Sequence, residues 1–123
     1  MSKKLTAHDV LSRYMEEDLP EFCGMELKSV NQSGNFGDAP LHVACTRGNK
    51  YEVQALIDAG ADINAPGELG NTPLHAATGQ NHISVVNILL KSGASKSKVN
   101  NLNQTPLDKA KMNENKILVA LLE

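Results

Sequence analysis

Three short strings recur in this chain at one interval: Ala39-Pro-Leu-His42, Thr72-Pro-Leu-His75 and Thr105-Pro-Leu-Asp108. The interval is 33 residues both times. A fixed period of that length marks one supersecondary unit copied and stacked, because a single copy cannot bury its own apolar face. A stack of this kind presents an extended surface for holding something and seldom a pocket for chemistry.

Length and composition agree with a stack. The chain has 123 residues, the size of one domain. It is 41% apolar and 21% charged, enough apolar side chain to bury a core and to argue against wholesale disorder. Aromatic residues make up only 3%, so Leu, Ile, Val, Ala and Met must build that core. The net charge of −2 gives no electrostatic reason to expect a nucleic-acid partner. No apolar run is long enough to cross a membrane, and Met1-Ser-Lys-Lys leads into polar residues, not into the apolar core of a signal peptide. Cys23 and Cys45 make neither a disulfide framework nor a zinc set. A soluble, reducing and therefore cytoplasmic setting is expected.

The middle copy, residues 68–100, shows what one unit is. Gly70 permits a tight turn at positive φ. Thr72 stands where an N-cap should stand, and Pro73 falls at the first helical position. Leu74, Ala77 and Thr78 give a narrow helix face. A second helix is expected from about Ile83, with Val85, Val86, Ile88, Leu89 and Leu90 apolar over most of its circumference and so buried on two sides. Gly93 follows as a left-handed C-cap. Helices this short are marginal alone in water and persist only when each layer covers the next.

These residues resemble the ankyrin repeat. The pattern reads Gly70-Asn-Thr-Pro-Leu-His75, Val85-Val86, Leu89-Leu90 and Gly93-Ala94 in the middle copy, and the first copy closes as Gly60-Ala-Asp-Ile-Asn64. The match runs over residues 35–123. It implies an all-α solenoid of stacked helix-turn-helix units with β-turn fingers and an N-terminal capping helix. The divisions expected within this single domain are a lead-in over 1–34 and repeats over 35–67, 68–100 and 101–123. Departures from the pattern are specific. Ala39 replaces the capping Thr, at a cost of about 1 kcal/mol unless Asp38 serves instead. Asn81 and Glu114 replace the Gly between helices that Gly48 keeps. Asp108 replaces His, and Glu123 ends the last apolar helix, which makes the last copy polar as an exposed end cap needs.

Residues 6–19 read as an amphipathic helix capped by Thr6 and stopped by Pro20, with Val10, Leu11, Tyr14, Met15 and Leu19 on its apolar face. It serves either as a shield for the first repeat or, through the acidic Glu16, Glu17, Asp18 and Glu21, as a contact for a basic partner. Ser29-Val-Asn31 followed by Gly37 repeats the spacing of Asp62-Ile-Asn64 and Gly70, so the register already begins near residue 29.

No residue set calls for catalysis, a cofactor or a metal. The resemblance explains His42, His75 and His82, with the first two bonding inside the turn network; only His8 is left over. Cys45 takes the place of a small buried residue, and Cys23 has no adjacent base or cation. The glycines near residues 34–37 and 67–70 lack the Lys-Ser/Thr of a phosphate loop. An enzyme using Cys23 and His8 is the remote alternative.

The resemblance implies a protein partner held by the turn tips and the concave face of the first helices. Phe36, Leu69 and Leu102 are equivalent, each one residue before Gly37, Gly70 or Asn103, and form either inter-finger packing or a contact ridge. Around them stand Asn35, Asp38, Glu68, Asn71 and Gln104, with Arg47, Gln80 and Met112 at the ends of the first helices. This mixed surface with few charges suits a protein epitope better than a phosphate backbone. The expected function is that of a non-enzymatic, monomeric binding protein that blocks or positions its partner. In size and layout the chain is also similar to compact ankyrin proteins of bacterial type that act alone as immunity proteins and neutralise a toxin. A spacer without a partner is the remaining reading.

Overall fold

Each Pro-Leu string opens a helix. Pro40, Pro73 and Pro106 take the first helical position, where the missing N–H is no loss. They begin α2 (Pro40–Arg47), α4 (Pro73–Gly79) and α6 (Pro106–Met112). A computed structural model describes residues 4–123, so the first three positions of the 1–34 segment lie outside the described residues. The partner helices are α3 (Lys50–Asp58), α5 (Ile83–Lys91) and α7 (Lys116–Leu122), preceded by α1 (Ala7–Glu16). Asn49 caps α3 and Asn115 caps α7 through their side-chain oxygens. Among the described residues there are no strands: the fold is all-α, as the resemblance implied.

The helices form two rows. The inner row stacks α2 on α4 and α4 on α6. In the outer row α1 lies on α3 and α3 on α5. Between the rows Leu41, Leu56, Leu74, Leu89 and Leu118 are almost wholly buried. Cys45 is fully buried, and burial pushes its thiol well above the ordinary range, the state of an inert packing residue. Thr78, its counterpart one repeat on, is also buried, and among the described residues its hydroxyl has no hydrogen-bond partner.

Turn chemistry repeats with the period. Gly48, Asn81 and Glu114 all take the left-handed conformation between the paired helices, with φ of 74°, 61° and 55°. Gly48 meets a second demand, because the His82 ring lies where its Cβ would be. The side-chain oxygen of Asn81 accepts from Asn113 and Asn115, a bond set that ties its strained turn to the next one. At the junctions the side chains of Ser29, Asp62 and Ser95 each accept the N–H two residues on. The register therefore does begin near residue 29. Asn31 and Asn64 carry it between layers, accepting from the N–H groups of Asp62 and Ser95.

The first helix ends earlier than its periodicity suggests. It stops at Glu16, because Leu19 before Pro20 is forced extended (φ −62°, ψ 141°) and Asp18 turns left-handed at φ 50°. Leu19 thereby leaves the apolar face of α1. What holds α1 in place was not legible in the pattern. Glu52 on α3 is fully buried and receives the Tyr14 hydroxyl at 2.6 Å, Arg13 at 2.8 Å and Arg47 at 3.5 Å. Burial and the Glu52 bond raise the Tyr14 phenol far above its ordinary value, so it stays a donor. Phe22 stacks on Tyr14 at 6.2 Å and anchors the 3-10 turn Pro20–Phe22 beside the first finger.

Replacing Leu89 by Ala should cost about 2–5 kcal/mol, since a thin layer cannot collapse around the void. Urea denaturation followed by circular dichroism checks this. A single transition is expected for wild type and variant alike; separate melting of one repeat would contradict the two-row core.

Candidate functional site

Three fingers project between the helix pairs, and each is closed by the same two backbone bonds. The N–H groups of Gly34, Gly67 and Asn100 donate to the carbonyls of Asp38, Asn71 and Gln104 at 2.8, 2.8 and 3.0 Å. Gly37, Gly70 and Asn103 return the chain at φ 98°, 74° and 61°. Their N–H groups donate back to residues 34, 67 and 100, which completes a β-turn at each tip.

Histidines join the fingers to one another. His42 Nδ1 accepts the Ala39 N–H at 3.0 Å, so its proton sits on Nε2, which donates to the Ala65 carbonyl at 2.7 Å. His75 does the same with the Thr72 N–H (3.0 Å) and the Gln104 carbonyl (2.8 Å). Each ring caps its own helix and ties down the base of the next finger. Asp108 accepts the Thr105 N–H at 2.9 Å, so it caps, but a carboxylate has no proton to bridge with. Thr105 holds that carboxyl below its ordinary range. His82 makes a different link between repeats, donating to the Thr46 carbonyl at 2.9 Å.

Alongside the fingers runs a groove of about 450 Å³, walled on one side by finger residues and floored by the inner helices. Asp38, Arg47, Glu68, Leu69, Asn71 and Gln80 line it. Leu19 and Glu21 close one end and Lys109 the other. Asn35, Phe36, Leu102, Gln104 and Met112 lie outside this lining, on the tips and at the end of α6.

Bonding divides the candidate residues into two groups. Asn35 donates to the Pro20 and Cys23 carbonyls, and Asn71 accepts from Asn100. Gln104 also accepts from Asn100. Arg47 forks onto Glu17 at 2.6 and 3.2 Å and lies over the Tyr14 ring. Asp38 does not rescue the cap missing at Ala39; its Oδ1 accepts the Glu68 N–H at 2.7 Å and braces the next finger. These five hold the framework.

The other group faces outward. Phe36, Leu69, Leu102 and Met112 are 54%, 60%, 69% and 69% exposed, so none is buried between fingers. Glu68 and Gln80 are exposed, and among the described residues their side chains accept or donate no hydrogen bond. The three tip residues are equivalent in sequence but not in backbone. Leu69 is left-handed (φ 58°, ψ 22°), a conformation costing a leucine about 1–2 kcal/mol. It turns the Leu69 carbonyl to the Asn101 N–H at 2.9 Å.

The acidic run beside Pro20 is also split, since Arg47 pairs with Glu17 and lowers its carboxyl. Glu21 stays in the groove wall. Sequence reasoning missed Glu52 and Asn100, both buried polar residues; Asn100 stands where the other fingers have Gly34 and Gly67, and that break in pattern was the available signal. Among the described residues no three His, Cys, Asp or Glu side chains are placed to hold a metal ion. Among the same described residues no helix is long and apolar enough to cross a membrane.

Burial lowers the pKa of His75 below its ordinary value. The unfolded chain then takes up the proton first as pH falls, so stability drops below about pH 6.5 and levels off beneath the folded pKa. His75→Gln should reduce the acid-side slope by at most about 1.4 kcal/mol per pH unit. Urea midpoints across the acid range measure it; an unchanged slope would show that His75 does not carry the linkage.

A model of the family "Ankyrin repeats (3 copies)" matches residues 14–100, more than half of the chain. The human protein named ankyrin repeat domain-containing protein 31 is 36% identical over 63 residues, which cover 51% of this chain. The matched stretch is 3% of that relative's length.

Proposed function

This chain belongs to the ankyrin-repeat family, and we propose that it is a non-enzymatic protein-binding module whose partner rests on the finger tips and the concave face of the inner helices. Ankyrin repeats are generally protein–protein interaction modules. One observation carries the reading here: Phe36, Leu69 and Leu102 stand more than half exposed on the finger tips, while Asn35, Asp38, Asn71 and Gln104 around them are occupied in bracing the fingers. Apolar side chains on a pre-braced edge can be desolvated by a partner at little cost in ordering.

Changing Phe36, Leu69 and Leu102 together to Ser should weaken partner binding by about tenfold or more, because exposed anchors of this kind contribute upwards of about 1 kcal/mol. The midpoint of thermal unfolding should hold or rise slightly. Quantitative mass spectrometry of proteins retained from the native extract, wild type against variant, reads the result. Equal retention by both would sink the proposal and favour a spacer. A toxin among the lost proteins would identify the neutralising version of the same activity.

A further inference from the structure

Charge is distributed unevenly along the stack. Residues 1–90 carry eleven acidic and six basic side chains, whereas residues 91–123 carry three acidic and six basic. The groove has the same polarity. Glu21, Asp38 and Glu68 line its N-terminal and middle parts, and none of them pairs with a cation among the described residues. Arg47 does not neutralise them, because Glu17 and Glu52 already hold its guanidinium. At the other end Lys109 reaches the groove, and among the described residues it has no carboxylate partner. It is half-buried, and that burial pulls its ammonium below the ordinary range. Apolar side chains share the lining with these charges: Leu19 beside Glu21, and Val43, Leu69 and Ala76.

We infer that the groove takes an extended protein segment of fixed polarity, with a basic side chain beside an apolar one over Glu21, Asp38 and Glu68, and an acidic side chain over Lys109. This rests on the binding reading given above and adds the chemistry of the partner. Complementary charge sets the register and direction of an extended ligand and speeds its encounter. The apolar neighbour is held on Leu69 and Leu19. A nucleic-acid backbone is disfavoured, since three carboxylates line the path that its phosphates would have to follow.

Panning the full chain against a random peptide library displayed on phage tests this. Enriched peptides are synthesised and placed by chemical-shift changes on the protein. The expected result is groove-binding peptides in which Arg or Lys adjoins Leu or Phe, with an acid further along. Glu68→Lys and Glu21→Lys should each slow association by about tenfold at low salt, an effect that shrinks as salt is added. Lys109→Glu should remove the preference for the acid. Both glutamates are outside the core, and an unchanged unfolding midpoint confirms each variant's fold. Groove binders with no basic bias, or with rates indifferent to Glu68→Lys, would overturn the charge assignment and leave the binding surface standing. Peptides that perturb only other faces, or no enrichment at all, would overturn the groove itself as the binding site.

Discussion

The arrangement depends on where one proton sits. In His42 and His75 the backbone N–H of the capping residue occupies Nδ1, which leaves the proton on Nε2 to reach the next finger. A single neutral ring thus starts a helix and sets the position of the neighbouring layer. Short helices have little stability of their own, so such nearest-neighbour bonds decide whether the layers stand in register. The Asn31 and Asn64 side chains do the same work at the junctions behind the fingers. Asp108 shows the division of labour by contrast, because it keeps the cap and loses the bridge.

Bracing has a consequence for binding. Most polar side chains near the fingers are used internally, so what remains outward is a small set of apolar tips with Glu68 and Gln80. In the proposed binding mode these tips are the apolar anchors on a stiff edge, and the charges of the groove set the orientation of the partner. Leu69 concentrates both features: it is exposed, it lines the groove, and its strained backbone hands its carbonyl to the next finger. Strain of that sort persists only where the surroundings over-determine it.

The middle copy was legible almost residue by residue. Thr72, Pro73, Gly70 and Gly93 behave as their chemistry requires, since caps and left-handed turns depend on local backbone sterics. The N-terminal segment was less so. Its helix is shorter than its apolar periodicity, and α1 is held by the buried Glu52, which one-dimensional spacing cannot pair with residues nearly forty positions away. Asp38 illustrates the same limit: beside Ala39 it reads as a substitute cap, yet its carboxylate crosses to Glu68. Among the proposed contact residues, exposure and internal bonding separated Phe36 and Leu69 from Asn35 and Arg47, although all four occupy comparable surface positions in the pattern.

By itself, then, the 33-residue period determined the unit, its helix starts and the stacking of its layers, because those follow from local geometry repeated at constant spacing. Only the tertiary structure decided which surface groups are spent on holding the stack and which are left facing outward. That allocation depends on distances between layers, and a side chain's bonding partner across a layer is set by the packing of the whole stack.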